Sequence, residues 1–400
     1  MVIGIIGGGA SGMAAALAAA ENPNAQVIVF ERQARVGKKL LATGNGRCNL
    51  TNIHAAQGGY HGEDASFARP ALEKFSPADT MQWFEKLGLY TVTEESGKVY
   101  PYSDQANSVV DVLRLAMVKD NIILRTGYEV KNVRSADGGF WIDDQFCDRV
   151  IIACGGLAGT KLGGSMAGYK LLAKFGHKST RLRPALVQLK TDWSGVTALK
   201  GIRANCAVQI LRDGEIFSQS TGELQFTDYG ISGPVVFEIS RDVCYGPGEW
   251  IARMDFLPHI SKEQLTDELL RRQQSDLPVE ELLTGILHNR LGRVLTKAAG
   301  VKDKAFVNQL TQPELEFVAQ TVKSFDISLS EPMGMENAQV TAGGVLTDGF
   351  DPNTMQSKLV FGLYACGEVL DIDGDCGGYN LQWAWSSGRL AGQCAGKEMV

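Results

Sequence analysis

The stretch Val2-Ile3-Gly4-Ile5-Ile6-Gly7-Gly8-Gly9-Ala10-Ser11-Gly12, continued by the alanine-rich Met13–Ala20 and then by Gln26-Val27-Ile28-Val29-Phe30-Glu31, decides the fold. A short apolar run reads as a buried strand, a glycine turn follows, alanines favour a helix, and a second apolar run reads as another strand. Gly7, Gly9 and Gly12 have the spacing G-x-G-x-x-G, and an acid, Glu31, stands 19 residues beyond Gly12 at the end of the second strand. That context is the dinucleotide fingerprint of a Rossmann-like β-α-β unit. In it, Gly7 permits the tight turn, and Gly9 lets backbone N–H groups approach a pyrophosphate at a helix N-terminus. Gly12 lets helix and strand pack closely, and Glu31 accepts hydrogen bonds from a ribose diol. The expected class is therefore α/β with a parallel sheet.

The fingerprint alone does not separate FAD from NAD. Downstream, Gly37-Lys38-Lys39-Leu40-Leu41-Ala42-Thr43-Gly44-Asn45-Gly46-Arg47-Cys48-Asn49-Leu50-Thr51-Asn52 sets basic residues before a glycine-rich loop with a dense polar set. Such a loop can wrap a phosphate and offer hydrogen bonds to a flavin ring. Near the other end, Leu363 to Glu368 reads as a strand entering a turn, and Tyr379 to Ala395 reads as a helix opened by Gly377-Gly378. The positive end of that helix suits the charge that develops on a reduced flavin. Asp371, Asp373 and Asp375 are spaced like a calcium loop. Cys376 and Gln382 occupy the positions where that loop needs Gly and Glu, which excludes calcium. His54, His61, His177, His259 and His288 lack zinc-type spacing, and no metal is expected.

Between these ends the texture changes. Segments 72–90 and 109–117 have helical periodicity, Ile122 to Val133 and Phe140 to Ile142 read as strands, and Val150 to Ala153 reads as a buried strand. Residues 186–256 alternate apolar and polar positions, as in Ala207-Val208-Gln209-Ile210-Leu211 before the turn Asp213-Gly214, which reads as antiparallel hairpins. Residues 261–325 read as polar helices. The expected organisation is a discontinuous FAD-binding domain, 1–185 with 336–400, interrupted by a β-rich domain at 186–257 and a helical domain at 258–335.

Composition agrees with a globular chain: 400 residues, 44% hydrophobic and 21% charged. Its net charge of −6 argues against a nucleic-acid partner. Eight cysteines occur without any C-x-x-C pair, which points to a reducing cytoplasm. The apolar start lacks a basic flank and is broken by glycines, so neither a signal peptide nor a membrane span is expected.

At this point the chain resembles the aminoacetone oxidase-like FAD-dependent oxidoreductases, a bacterial family that includes a bile-acid dehydro-steroid reductase. The likeness runs through the fingerprint with Glu31, Thr43 to Asn52, Val99-Tyr100-Pro101 and Ala153-Cys154-Gly155-Gly156. It continues in Phe226-Thr227-Asp228-Tyr229-Gly230-Ile231-Ser232-Gly233-Pro234, Thr341-Ala342-Gly343-Gly344-Val345, Gly367-Glu368 and Gly377-Gly378-Tyr379-Asn380-Leu381-Gln382. The resemblance implies a two-part FAD domain with an inserted β-barrel and a small helical domain. It also implies that Gly9, Ser11, Gly12, Glu31, Lys39, Gly46, Arg47, Cys48, Gly367, Glu368, Tyr379, Asn380 and Gln382 lie near FAD. Gly7, Arg32, Gly44, Val130, Ala153, Gly155 and Gly378 complete the cofactor-binding candidates. Asp228 stands where many members carry His.

The expected activity is flavin-mediated hydride transfer to or from a small organic substrate, with Asn49, Asp228 and Tyr379 as candidates for substrate or proton contacts. Arg47 and the helix start at 377–380 are expected to stabilise negative charge on the reduced flavin. No second G-x-G-x-x-G follows a strand, so no dedicated NAD(P) domain is expected, which leaves NADH or NADPH as a transient donor. Two alternatives stay open. One is an amine oxidase that uses oxygen. The other is a non-redox flavin-binding sensor, or a protein whose helical insert, with Arg271, Arg272, Arg290 and Arg293, binds a partner. Cys48, beside Arg47, reads either as an activated thiol or as a buried inert one.

Overall fold

A computed structural model describes residues 1–243, 245–301 and 303–397. Cys244 lies outside the described residues. The chain divides into two compact units, Met1–Pro184 with Met335–Val400, and Ala185–Gly334.

The first unit is a discontinuous Rossmann-like fold. Strand β1 (Val2–Ile6) leads through the glycine turn into helix α1 (Ala10–Ala19) and then strand β2 (Gln26–Glu31). Strands β3 (Ile122–Thr126), β4 (Arg149–Ile152) and β5 (Leu363–Ala365) complete a parallel sheet in the order β5-β4-β1-β2-β3. The central strands are uninterrupted apolar runs because both faces of such a sheet are covered. β5 comes from the far end of the sequence and pairs with β4, so the sheet cannot be completed without the C-terminal segment.

Helix α2 (Tyr379–Gly396) packs along α1. The contact is set by a stripe of glycines. A β-carbon at Gly388 would lie 2.4 Å from the Ser11 carbonyl oxygen, and one at Gly392 would lie 2.2 Å from that of Ala15. Glycine in a helix costs on the order of 1 kcal/mol relative to alanine, and here it permits the close crossing.

The reading of Ile122 to Val133 as one strand is corrected. β3 stops at Thr126, where Gly127 turns with φ 67°. Gly127 N–H then bonds to Gln33 O and Tyr128 N–H to Glu31 O. Val133–Ala136 starts a separate antiparallel sheet with Gly139–Ile142 and Gln145–Cys147.

The second unit holds a closed antiparallel barrel. Its strands, in order around the barrel, are Leu189–Thr191, Gly230–Ser232, Glu215–Phe226, Arg203–Arg212, Trp250–Asp255 and Phe325–Pro332. Asp213 and Gly214 both have positive φ, 51° and 86°, as a two-residue hairpin turn requires. Helices Lys262–Arg272, Asn289–Ala298 and Gln312–Lys323 lie between the last two strands in sequence. Phe325–Pro332, which sequence reading placed in the helical stretch, is a strand. Phe325, Ile327 and Leu329 alternate inward, and the segment closes the barrel against Leu189–Thr191. No helix among the described residues is long and apolar enough to cross a membrane.

Candidate functional site

The glycine turn follows from close packing. A β-carbon at Gly7 would lie 2.3 Å from the Ala153 carbonyl oxygen, and one at Gly12 would lie 1.9 Å from that of Gly7. A β-carbon at Gly9 would meet nothing within 4 Å. Gly7 and Gly12 thus seat the turn against β1 and β4, and Gly9 presents bare backbone at the N-terminus of α1. No side chain caps that terminus, so its N–H groups are available to an anion.

Glu31 is buried at the end of β2. Its Oε2 accepts the Gly8 N–H at 2.7 Å and its Oε1 accepts the Gln33 N–H at 2.7 Å. Each oxygen keeps a lone pair for a hydroxyl, which suits a ribose diol. Arg32 reaches across to the Gly163 carbonyl. The bonds of Gly127 and Tyr128 to Gln33 and Glu31 draw the segment ending at buried Val130 alongside.

Lys39 lies 2.8 Å from Glu368. Glu368 also accepts the Thr341 N–H at 2.9 Å, and Gly156 is so close that a β-carbon would lie 2.5 Å from its carboxylate. Ser11 packs on Gly367, where a β-carbon would lie 2.5 Å from the Ser11 hydroxyl. Around Gly155, as around Gly9, a β-carbon would meet nothing within 4 Å. The fingerprint, Lys39, Ala153, Gly155, Gly367 and Glu368 therefore form one cluster drawn from three parts of the sequence.

The loop Leu40–Gly46 winds tightly, with Gly44, Asn45, Gly46 and Cys48 all in the left-handed region. Gly44 lies against Asn49, and Gly46 opens onto free space. Arg47 is paired with Asp104 and with Glu94 at 3.1 Å, and stacks 3.9 Å over the Tyr100 ring. The Asp104 hydrogen bond leads the effects that raise its pKa. Its charge is already committed to carboxylates. Cys48 is fully buried, and burial pushes its thiol up to about 12, which is the inert reading rather than the activated one. Asn49 is 8% exposed, yet its Oδ1 has no partner.

The start of α2 is held against the short strand Thr51–Asn52 that follows this loop. Gly378 backs onto Thr51, and the Asn52 amide donates to the Gly377 carbonyl at 3.1 Å. The Asn380 amide closes the turn by bonding Gly374 N–H and C=O at 2.8 and 2.7 Å. Gln382 is buried, with its amide bonded to Thr51, Phe75 and Ser386. The side chains of Asn380 and Gln382 thus serve protein partners. Tyr379 packs edge-on against Tyr60, 5.9 Å between centroids. Asp228 lies in the other unit, exposed, 2.7 Å from Lys200, whose hydrogen bond holds its carboxyl below the usual range.

Sequence reading did not single out Lys98, whose side chain passes Gly377, or the 2.7 Å pair of His61 with Asp375. Neither carries a one-dimensional signal, because each depends on pairing between distant short strands. Among the described residues no group of three or more His, Cys, Asp or Glu is placed to hold a metal ion.

These features fit a dinucleotide flavin: open glycine backbone at an uncapped helix start, a buried carboxylate with spare lone pairs, and a buried amide oxygen awaiting a donor. The model of the HI0933-like protein Rossmann domain family matches residues 1–394. The chain is 41% identical to the 3-dehydro-bile acid delta(4,6)-reductase of Clostridium scindens over 98% of both chains. It is 32% identical to the ribosomal RNA dihydrouridine synthase of Escherichia coli, over 97% of this chain and 96% of that one. Among solved structures, 3-ketosteroid delta1-dehydrogenase from Sterolibacterium denitrificans is 12% identical and superposes over 98% of this chain and 99% of its own with a TM-score of 0.51. At that identity the likeness speaks for the fold alone.

Proposed function

The chain belongs to the HI0933-like Rossmann-domain family and is an FAD-dependent oxidoreductase acting on a small organic substrate; we propose that it is a reductase that adds hydrogen across a carbon–carbon double bond conjugated to a carbonyl. The observation that carries this reading is the full-length 41% identity to a delta(4,6)-reductase of a 3-dehydro-bile acid. The 32% identical relative forms dihydrouridine, which also reduces a carbonyl-conjugated double bond. The reaction class is thus common to relatives whose substrates differ greatly in size.

When bound, FAD would supply the hydride chemistry, with NADH or NADPH as the proposed transient donor. The rest falls to the chain. The α1 start at Gly9 to Gly12 holds the pyrophosphate, and Glu31 holds the ribose. The α2 start, with Lys98 beside Gly377, favours negative charge near the ring. Asn49, with its spare buried oxygen, orients ring or substrate by a hydrogen bond. Reduction also needs a proton for the carbon beside the carbonyl, and Tyr379 at the α2 start is its proposed donor. Asp228, exposed in the other unit and held ionised by Lys200, is not suited to give a proton. None of the described cysteines is in a disulfide, which suits the reducing cytoplasm.

A second reading, reduction of a uracil in ribosomal RNA, is favoured by the dihydrouridine synthase match and opposed by the net charge of −6. Mass analysis after anaerobic incubation with NADH or NADPH separates the two. The acceptors are a 3-dehydro Δ4,6 bile acid, the same steroid without the ketone, and a ribosomal RNA transcript. Gain of a hydrogen pair by the conjugated ketone alone is expected. Gain by the RNA alone would establish the second reading, and gain by the steroid lacking the ketone would overturn the conjugated-carbonyl assignment.

A further inference from the structure

Gln382 is fully buried and has three polar partners. Its Oε1 accepts from Thr51 Oγ1 at 2.6 Å, and its Nε2 donates to Phe75 O at 2.9 Å and to Ser386 Oγ at 2.8 Å. Ser386 Oγ donates in turn to Phe75 O at 2.7 Å. Thr51 and Ser386 are also fully buried. If this position only filled space, an apolar side chain would serve, since a buried amide gains little unless every bond is made. An amide with both N–H groups and its oxygen engaged does something a leucine cannot. Its bonds have direction, so they fix the rotation and height of α2 relative to the strand that follows Cys48.

The neighbouring bonds act on the same joint. Leu50 O accepts the Trp385 indole N–H at 2.9 Å, and the Asn52 amide holds Gly377 O at 3.1 Å. Leu50 and Thr51 therefore each grip α2 and Asn52 grips the turn before it, and the middle grip is the Thr51–Gln382 bond. Contact leaves no slack inward, because a β-carbon at Gly378 would lie 2.4 Å from the Thr51 carbonyl. The N-terminus of an 18-residue helix is thus set at one distance from Asn49, which lies two residues before Thr51, is more than nine-tenths buried and has an unpartnered Oδ1.

We propose that Gln382, through its bond to Thr51, is a positioning residue that tunes the reduction potential of the bound flavin by fixing the α2 N-terminus. This rests on the reading above that the flavin ring lies at that terminus. The helix start carries about half a positive charge, and its effect on a nearby anion falls with distance and with mobility. Loosening the joint weakens stabilisation of the reduced, negatively charged ring more than that of the neutral oxidised ring. The potential then moves to more negative values.

The test is the midpoint potential of the bound flavin, measured by dye equilibration in the wild-type holoprotein and in Gln382→Met, Thr51→Val and Thr51→Ser, each with its thermal midpoint. Gln382→Met and Thr51→Val are expected to retain flavin and to lose about tenfold in the preference for the reduced form, a negative shift of about 30 mV for a two-electron couple. Thr51→Ser keeps the hydroxyl and is expected to keep the wild-type potential. A lower thermal midpoint with an unchanged potential in both Gln382→Met and Thr51→Val would overturn the proposal, leaving Gln382 a packing residue. A wild-type protein that holds no reducible flavin would instead overturn the reading on which it rests.

Discussion

Gly392 lies so close to Ala15 that a β-carbon would stand 2.2 Å from the Ala15 carbonyl oxygen. This contact joins the first helix of the chain to the last, beside the sheet that β5 completes. Both halves of the nucleotide site depend on it. Gly392→Val is expected to cost at least about 2 kcal/mol, because helix backbone cannot give way as a side chain can. A urea unfolding midpoint checks it, and an unchanged midpoint would show that the helices do not cross so closely.

The cradle at Gly9 and the carboxylate of Glu31 make separable contributions. Gly9→Val leaves the fold intact, since the new side chain points into open space, but it occupies the approach to the helix start. Glu31→Ala removes the acceptor of two backbone N–H groups and the proposed acceptor of the ribose. Each change is expected to weaken FAD by tenfold or more, in line with about 1.5–3 kcal/mol for hydrogen bonds to a charged group. Flavin fluorescence titration of the apoprotein measures this. Full retention in both variants would remove the nucleotide site from this turn.

Lys39 and Glu368 meet from opposite ends of the sequence and are only partly exposed, 31% and 20%. A double-mutant cycle with Lys39→Met and Glu368→Gln is expected to give a coupling of about 0.5–1 kcal/mol in stability. Strict additivity would show that the pair is incidental.

Burial pushes the thiols of Cys48, Cys154 and Cys366 each up to about 12. In the unfolded chain a thiol ionises near pH 8.5. Below that value both states are protonated and the contribution of these groups to stability is complete. As pH rises toward 12 the unfolded state loses protons that the folded state keeps, so stability falls. The slope is at most about 1.4 kcal/mol per pH unit for each thiol. Urea midpoints should therefore be flat from pH 6 to 8 and drop from 9 to 11. In the native protein Cys48 and Cys366 should resist iodoacetamide at pH 8, and Cys48→Ser should keep its flavin. Rapid native labelling of Cys48 would contradict its burial.

The fingerprint was legible because its spacing is a local rule: strand, turn, helix and acid follow in order, and the turn, helix and Glu31 all appear in the structure. The barrel hairpin at Asp213-Gly214 was legible for the same reason. What sequence could not reveal was pairing across distance. The strand Phe325–Pro332 alternates apolar and polar residues, but it follows directly on a helix, and its place in the barrel is set only by its partners. The hydrogen bonds of Gln382 reach Thr51 and Phe75, both more than 300 residues away. The pairing of Arg47 with Asp104 and Glu94 is likewise a contact across distance that no local pattern marks.

The most direct test of the account is an anaerobic absorbance record of the purified holoprotein, first with NADH or NADPH and then with a carbonyl-conjugated alkene. The oxidised flavin band is expected to bleach with the nucleotide and to return when the alkene is added, one equivalent of alkene restoring one of flavin. A band that bleaches but returns only on admitting oxygen, or that bleaches only with an amine, would contradict the assignment as a reductase of conjugated double bonds.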